Sequence, residues 1–252
     1  TGDLADVTTI VGPDADAHVY QTSTSDAKAV AGADIVFING LGFETWSDAL
    51  INNAGGDASV IVATVGVKPI FVDGEIDPHA WNALTNGVIY VDNIAAAIAA
   101  ADAGNDGAYK ANAASYIAKL RALHASAADR FGSLPEDGRT VVTAHDAFGY
   151  LADSYGLNFL APVGIDTEAE PSASELAALI AHLKETGAGA LFVENITSPA
   201  LIEQISKETG LKIGGRLFSD ALSERGGPAT SYVAMFEHNL GAIMTALQDS
   251  GS

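Results

Sequence analysis

The chain contains no cysteine among its 252 residues. This absence excludes disulfide bonds, thiol catalysis and every zinc finger built with cysteine ligands. A chain without cysteine is compatible with an oxidising compartment. Any transition-metal site would have to be built from histidine and carboxylate side chains.

Basic residues are scarce, with 12 lysines and arginines against 32 acidic residues and a net charge of −20. A surface this acidic repels phosphate, so we expect no nucleic-acid partner. Long hydrophobic runs are also missing. The strongest candidate, Ile94–Ala103, is well short of the roughly 18 apolar residues of a membrane helix.

Several common catalytic motifs are absent from the sequence. It has no Walker loop, no G-x-G-x-x-G between a strand and a helix, no G-x-S-x-G and no H-E-x-x-H. The acidic pairs Asp14/Asp16 and Glu168/Glu170 have no base beside them, so we interpret them as solvated loops. We therefore expect no catalytic residues and no resident cofactor.

Short β-branched runs alternate with alanine-rich helical segments, which indicates parallel α/β sheets. The predicted strands are Val7–Val11, Ile35–Ile38, Val60–Val65, Val141–Thr143, Phe159–Val163, Leu191–Val193 and Ile213–Phe218. The predicted helices are Asp26–Ala33, Glu44–Asn53, Asp92–Asp102, Asp146–Ser154, Ser172–Glu185, Pro199–Glu208 and Ala229–Gln248.

One segment, Asn105–Phe131, has apolar residues at three- and four-residue steps over its whole length. The sequence therefore predicts an α/β protein with two parallel-sheet lobes joined by one long rigid helix. The predicted limits are 1–104 for the N-terminal lobe, 105–132 for the connecting helix and 133–252 for the C-terminal lobe.

Four residues that follow predicted strands or rigid turns have the chemistry of metal ligands: His18, His79, His145 and Asp220. Side chains beyond the ends of parallel strands meet at one crevice in α/β proteins. Three imidazoles and one carboxylate make a closed tetrahedral site that suits zinc. Taken singly, each residue has another interpretation: a surface loop for His18, a helix N-terminus for His79, a buried polar contact for His145 and a turn cap for Asp220.

The three other histidines are weaker candidates. His124 falls on the apolar stripe of the long helix and is interpreted as an interior residue. His182 and His238 are interpreted as solvated surface residues.

The ordered motifs resemble the zinc- and manganese-binding solute-binding proteins of bacterial ABC importers, the cluster A-I family. The resemblance covers nearly the whole chain. It rests on Val11–Tyr20 with Thr24–Asp26, Asn39–Trp46, Asp77–Trp81, Thr143–Tyr150 with Tyr155–Leu157, Phe192–Glu194, Ser198–Pro199 and Leu217–Leu222.

The resemblance implies a receptor of the zinc type that delivers the ion to an ABC-type membrane permease and performs no chemistry on it. Carried over by position, His18, His79, His145 and Asp220 are the ligands of a transported Zn²⁺. The implied location is the periplasm or, by a lipid anchor, the cell surface. We expect a monomer, with a metal-delivery chaperone as a further candidate partner.

The sequence departs from the family pattern in three places. The family begins with a strand and a helix before the segment seen here, so the first lobe is expected to be incomplete. The acidic-proline pair that often follows the second ligand loop is replaced by Asn82-Ala83-Leu84, and no histidine-rich loop is present.

The alternative functions are a zinc-dependent hydrolase, with Asp220 or Glu194 as general base, and an adhesin on the same scaffold.

Overall fold

The computed structural model describes residues 1–135 and 138–250, and the chain divides into two compact units. Unit 1 comprises Thr1–Gly12 and Ala17–His124, and unit 2 comprises Pro13–Asp16 and the described residues from Ala125 onward. The predicted domain limits differ in detail from these and remain a prediction. Residues 136, 137, 251 and 252 of the predicted C-terminal lobe lie outside the described residues.

Unit 1 is an α/β unit around a pair of parallel strands. Strands β1 (Ile35–Ile38) and β2 (Ser59–Val62) pair in register from Ile35 with Ser59 to Ile38 with Val62. Its other elements are α1 (Thr24–Ala31), α2 (Ser47–Ala54), α3 (Leu84–Ala101) and a hairpin of β3 (Phe71–Val72) and β4 (Glu75–Ile76). Asp73 and Gly74 have positive φ angles, which suits a two-residue hairpin turn.

The predicted strand Val7–Val11 is wrong, because the segment has no regular secondary structure. A strand is defined by hydrogen bonds to a neighbour, and 7–11 has no strand neighbour within the described part of the chain. Val7 is 75% exposed. Its β-branched composition alone therefore does not produce a strand.

Helix α3 is longer than predicted and begins at Leu84 instead of Asp92. By length and composition alone this helix is long and apolar enough to cross a membrane. Polar residues interrupt the helix, and Asn93 donates from Nδ2 to the carbonyls of Ala63 and Val65 at 2.8 and 2.9 Å. These bonds attach α3 to the residues that follow β2.

Unit 2 contains a four-stranded parallel sheet in the order β6-β5-β7-β8. Its strands are β5 (Thr140–Val142), β6 (Asn158–Leu160), β7 (Ala190–Glu194) and β8 (Ile213–Leu217). Its helices are α5 (Gly149–Tyr155), α6 (Ala173–Thr186), α7 (Ala200–Thr209) and α8 (Tyr232–Ser250). A core packs under the sheet from Val142, Ala144, Ile180, Leu183, Leu191, Ile202 and Ile205.

Two local features shape unit 2. The Ser172 side chain and the Glu175 side chain form a capping box at the start of α6, which confirms the predicted helix start. Between β7 and β8 the register shifts at Leu191/Phe192. A Cβ on Gly214 would lie 2.9 Å from the Phe192 ring. A larger residue would therefore collide with that ring, and only glycine fits at this position.

The long helix α4 spans Asp106–Gly132, 27 residues, and agrees with the prediction of Asn105–Phe131. The limit between the two units falls inside it, after His124. The α/β fold with parallel sheets and a long connecting helix is therefore confirmed.

Candidate metal centre

Polar residues lie at or just after the carboxyl ends of three strands of unit 2. Strand β5 ends at Val142, β7 at Glu194 and β8 at Leu217, and His145 and Asp220 follow β5 and β8 by three residues. Because the three strands are parallel, these ends lie at the same edge of the sheet. A bridge between His145 and Val163 extends the pairing beyond β5 and holds the His145 backbone.

His145 lies between two carboxylates with its ring fully buried. Its Nε2 atom is 3.2 Å from Asp220 Oδ2, and its Nδ1 atom is 2.6 Å from Glu194 Oε2. The other Glu194 oxygen, Oε1, accepts from the backbone N–H groups of Ala144 at 2.8 Å and His145 at 2.9 Å. Glu194 therefore holds both the backbone and the ring of His145.

The charge around His145 changes its proton affinity. Burial by itself lowers the pKa of His145, but the negative charges of Glu194 and Asp220 outweigh it and raise the pKa well above its ordinary value. This pair of carboxylates forms a pocket of negative potential that favours a cation at His145.

Asp220 is positioned by a side chain on α8. Asn239 accepts from the Phe218 N–H at 3.0 Å and donates to the Phe218 carbonyl at 2.7 Å. Asn239 is only 3% exposed. These two bonds fix the backbone two residues before Asp220 and so limit where its carboxylate can lie.

Unit 1 brings His18 and His79 together. Their Nε2 atoms face each other at 3.2 Å. The Asp77 Oδ1 atom accepts from both the backbone N–H of His79 at 2.9 Å and its ring Nδ1 at 2.8 Å. Asp77 and His79 are both 0% exposed, and His18 is 7% exposed.

Aromatic rings surround the histidine pair. The Phe43 ring lies edge-on to His18 at 4.8 Å and to Trp81 at 4.6 Å, and Trp81 lies 5.3 Å from His79. Trp81 therefore forms a wall beside His79. This apolar wall limits water around the two imidazoles, and a dry site strengthens electrostatic contacts.

The loop after β1 supports His79 from behind. Asn39 donates from Nδ2 to the Pro78 carbonyl at 2.9 Å, and Glu44 Oε1 accepts from the Asn39 N–H at 2.6 Å. Burial raises the pKa of Glu44, against the opposing effect of its backbone hydrogen bonds. Gly40 has φ +82°, and a Cβ there would lie 2.5 Å from the Val62 side chain, so the loop requires glycine.

The segment before His18 is bonded within unit 2. The Asp14 N–H donates to the Leu222 carbonyl at 3.0 Å, and the Asp14 carboxylate accepts from Asn195 Nδ2 at 3.0 Å. Asp16 accepts from the Thr167 hydroxyl at 2.7 Å. Asp14, Glu168 and Glu170 are exposed, as predicted for solvated loops, whereas Asp16 is partly buried.

The remaining histidines differ in their surroundings. His182 is exposed on α6, as predicted, and His124 is partly buried on α4. The interpretation of His238 as a solvated residue is wrong, because it is partly buried against the Phe218 ring and its Nε2 bonds the Arg216 carbonyl at 2.9 Å.

The model of one protein family matches residues 1–246, and the family is described as zinc-uptake complex component A, periplasmic. Among similar proteins, the metal ABC transporter substrate-binding lipoprotein SsaB of Streptococcus sanguinis is 32% identical, over 98% of this chain and 83% of that protein. The iron ABC transporter substrate-binding lipoprotein MtsA of Streptococcus pyogenes serotype M1 is 33% identical with the same coverage.

Two solved structures share the fold. A manganese-bound periplasmic metal binding protein from Candidatus Liberibacter asiaticus has a TM-score of 0.88 at 32% identity, covering 97% of this chain and 92% of that chain. The periplasmic zinc binding protein TroA from Treponema pallidum has a TM-score of 0.89 at 29% identity, covering 94% of this chain and 89% of that chain.

Proposed function

The chain belongs to the family described as zinc-uptake complex component A, periplasmic, and we propose that zinc is the ion it captures. It is a substrate-binding receptor of an ABC transporter that carries a divalent metal, and it is not an enzyme. Its location is the periplasm or, by a lipid anchor, the cell surface. The hydrolase alternative, with Asp220 or Glu194 as general base, is therefore abandoned.

The proposed ligands are His18, His79, His145 and Asp220, each of which offers one ligand atom. The observation that carries this assignment is the same in both units. A buried histidine has its Nδ1 held by a carboxylate, while its Nε2 lies 3.2 Å from a second potential ligand atom. We propose that one ion is bound by both pairs together.

Zinc is preferred because of the donor set. The names of the relatives and solved structures include iron, manganese and zinc, so the choice among them rests on chemistry. Three imidazole nitrogens and one carboxylate suit tetrahedral zinc, whereas manganese prefers more oxygen ligands. Four protein ligands also leave no position for an activated water, as expected for a transported ion.

The partners follow from this role. The metal ion and a membrane permease are partners of such a receptor. The monomeric state and the metal-delivery chaperone remain predictions.

A competition titration tests the proposed function. We expect metal-free protein to bind one zinc per chain, with manganese bound much more weakly. His145→Ala should weaken zinc binding on the order of tenfold or more, and His182→Ala, an exposed histidine on α6, is the matched control that should not. Tighter manganese than zinc, two equally tight zinc ions or equal losses in both variants would contradict the proposal.

A further inference from the structure

We propose that Glu194 is a positioning residue that fixes His145 as a ligand through Nε2. Asp77 does the same for His79, but there an asparagine could replace the carboxylate. This inference rests on the proposed function. It assigns to Glu194 neither a direct bond to the ion nor a role as a base.

Glu194 uses its two oxygens for two different tasks. Oε1 accepts the backbone N–H groups of Ala144 and His145, and Oε2 lies 2.6 Å from the ring Nδ1 of His145. Glu194 is 2% exposed and His145 is 0% exposed. Because the backbone bonds fix Oε1, only Oε2 faces the ring.

A carboxylate oxygen only accepts hydrogen bonds, so it requires a proton on Nδ1 of the imidazole it faces. A neutral imidazole carries one ring proton, and a proton on Nδ1 leaves the Nε2 lone pair for a metal ion. On the other side of the ring, Nε2 points to Asp220 Oδ2 at 3.2 Å. Contacts of this kind set the tautomer and raise the basicity of metal-binding histidines.

Asp77 arranges its contacts differently. A single oxygen, Oδ1, accepts from both the backbone N–H and the ring Nδ1 of His79. An asparagine at 77 can keep its amide oxygen in that place and preserve both bonds. A glutamine at 194 cannot do so, because its amide oxygen stays with the two backbone donors and its NH₂ group then faces Nδ1.

The difference between the two amides gives the test. Glu194→Gln should force the His145 ring proton onto Nε2, where it blocks the metal, and zinc affinity should fall by about 10- to 100-fold. Asp77→Asn should keep the proton of His79 on Nδ1 and lose clearly less affinity. Glu185→Gln, at an exposed position on α6, is the matched control and should bind zinc as the unchanged protein does.

Two readouts separate positioning from a structural role. The ¹⁵N spectrum of the histidine rings reports which nitrogen carries the proton, and thermal unfolding reports stability. We expect His145 to keep Nδ1–H in the zinc-bound unchanged protein and to carry Nε2–H in metal-free Glu194→Gln. Zinc bound through Nδ1 of His145 in the unchanged protein would overturn the proposal even if the variant failed to fold.

The remaining outcomes are also decisive. If Glu194→Gln binds zinc as tightly as Glu185→Gln, or loses affinity while the ring proton of His145 stays on Nδ1, Glu194 does not act through the tautomer. If instead the unchanged protein and Glu185→Gln both fail to bind zinc, the proposed function fails. The proton on Nδ1 of His145 then still decides the positioning role, because metal-free Glu194→Gln should lack it and the metal-free unchanged protein should keep it.

Discussion

A histidine can bind a metal through either ring nitrogen, so the contacts of one nitrogen decide whether the other is available. In this protein Asp77 holds Nδ1 of His79 and Glu194 holds Nδ1 of His145. At the scale of single residues, the site therefore consists of proposed ligands together with the carboxylates that orient them.

Tyr155 gives a prediction at the residue scale that is independent of the metal. Its ring stacks on Phe131 at 5.5 Å, and burial raises its pKa to about 12. The unfolded pKa is about 10. Because the folded value is the higher one, this residue's contribution to stability is complete below pH 10 and is lost as the pH rises toward 12.

Tyr155→Phe keeps the ring and removes the ionisable group. We expect the unchanged protein to lose up to about 2 kcal/mol of unfolding free energy, relative to the variant, between pH 9 and 12. Chemical denaturation of both proteins at several pH values measures the difference. Parallel pH curves for the two proteins would show that Tyr155 does not titrate differently in the folded state.

Part of the site can be predicted from the sequence, and the rest cannot. His145 and Asp220 follow apolar parallel strands, a position that the sequence itself reveals. Asp77 carries a signal too, because its spacing of two residues from His79 allows a local bond. Glu194 and Asn239 are different: their partners Ala144 and Phe218 are 50 and 21 residues away in the chain, and only the strand register and the packing of α8 bring them together.

At the scale of helices and strands, local signals predict well where hydrogen bonding is local. The capping box at Ser172 predicts the start of α6, and the apolar periodicity predicts α4. The prediction of a strand at Val7–Val11 is wrong because a strand depends on a neighbouring strand, which its own residues do not specify. Helix α5 begins at Gly149 and not at Asp146, because the His145 backbone pairs with Val163 and the Asp146 N–H donates to the Gly164 carbonyl.

The cap of α6 gives a prediction for one element. The Ser172 hydroxyl accepts from the Glu175 N–H at 3.2 Å, and the Glu175 carboxylate accepts from the Ser172 N–H at 2.8 Å. Ser172→Ala should lower the free energy of unfolding by about 1 kcal/mol. Ser198→Ala before α7 is the control and should lose less, because its single contact with the Ala200 N–H is 3.4 Å long; equal losses would contradict the capping argument.

At the scale of the whole molecule, each unit carries one buried pair: His18 with His79 in unit 1, and His145 with Asp220 in unit 2. A net charge of −20 favours the approach of cations over anions. An ion bound by all four proposed residues should stabilise the folded chain, as a ligand specific to the folded state does.

Hydrogen exchange with and without zinc tests that stabilisation. We expect amide protection to rise around His79 in unit 1 and around His145 and Asp220 in unit 2, because the ion orders both pairs. Helix α4, which the limit between the units crosses, should change little if it is the rigid connector that the sequence predicts. Protection confined to one unit would mean that one pair alone binds the ion.

The most direct measurement is X-ray absorption at the zinc edge of protein loaded with one equivalent of zinc. The predicted spectrum is that of a four-coordinate ion with nitrogen and oxygen ligands at about 2.0–2.1 Å, with outer-shell scattering from three imidazole rings and one carboxylate. A six-coordinate shell rich in oxygen, or a shell with fewer than three imidazoles, would contradict the assignment of His18, His79, His145 and Asp220 as the zinc ligands.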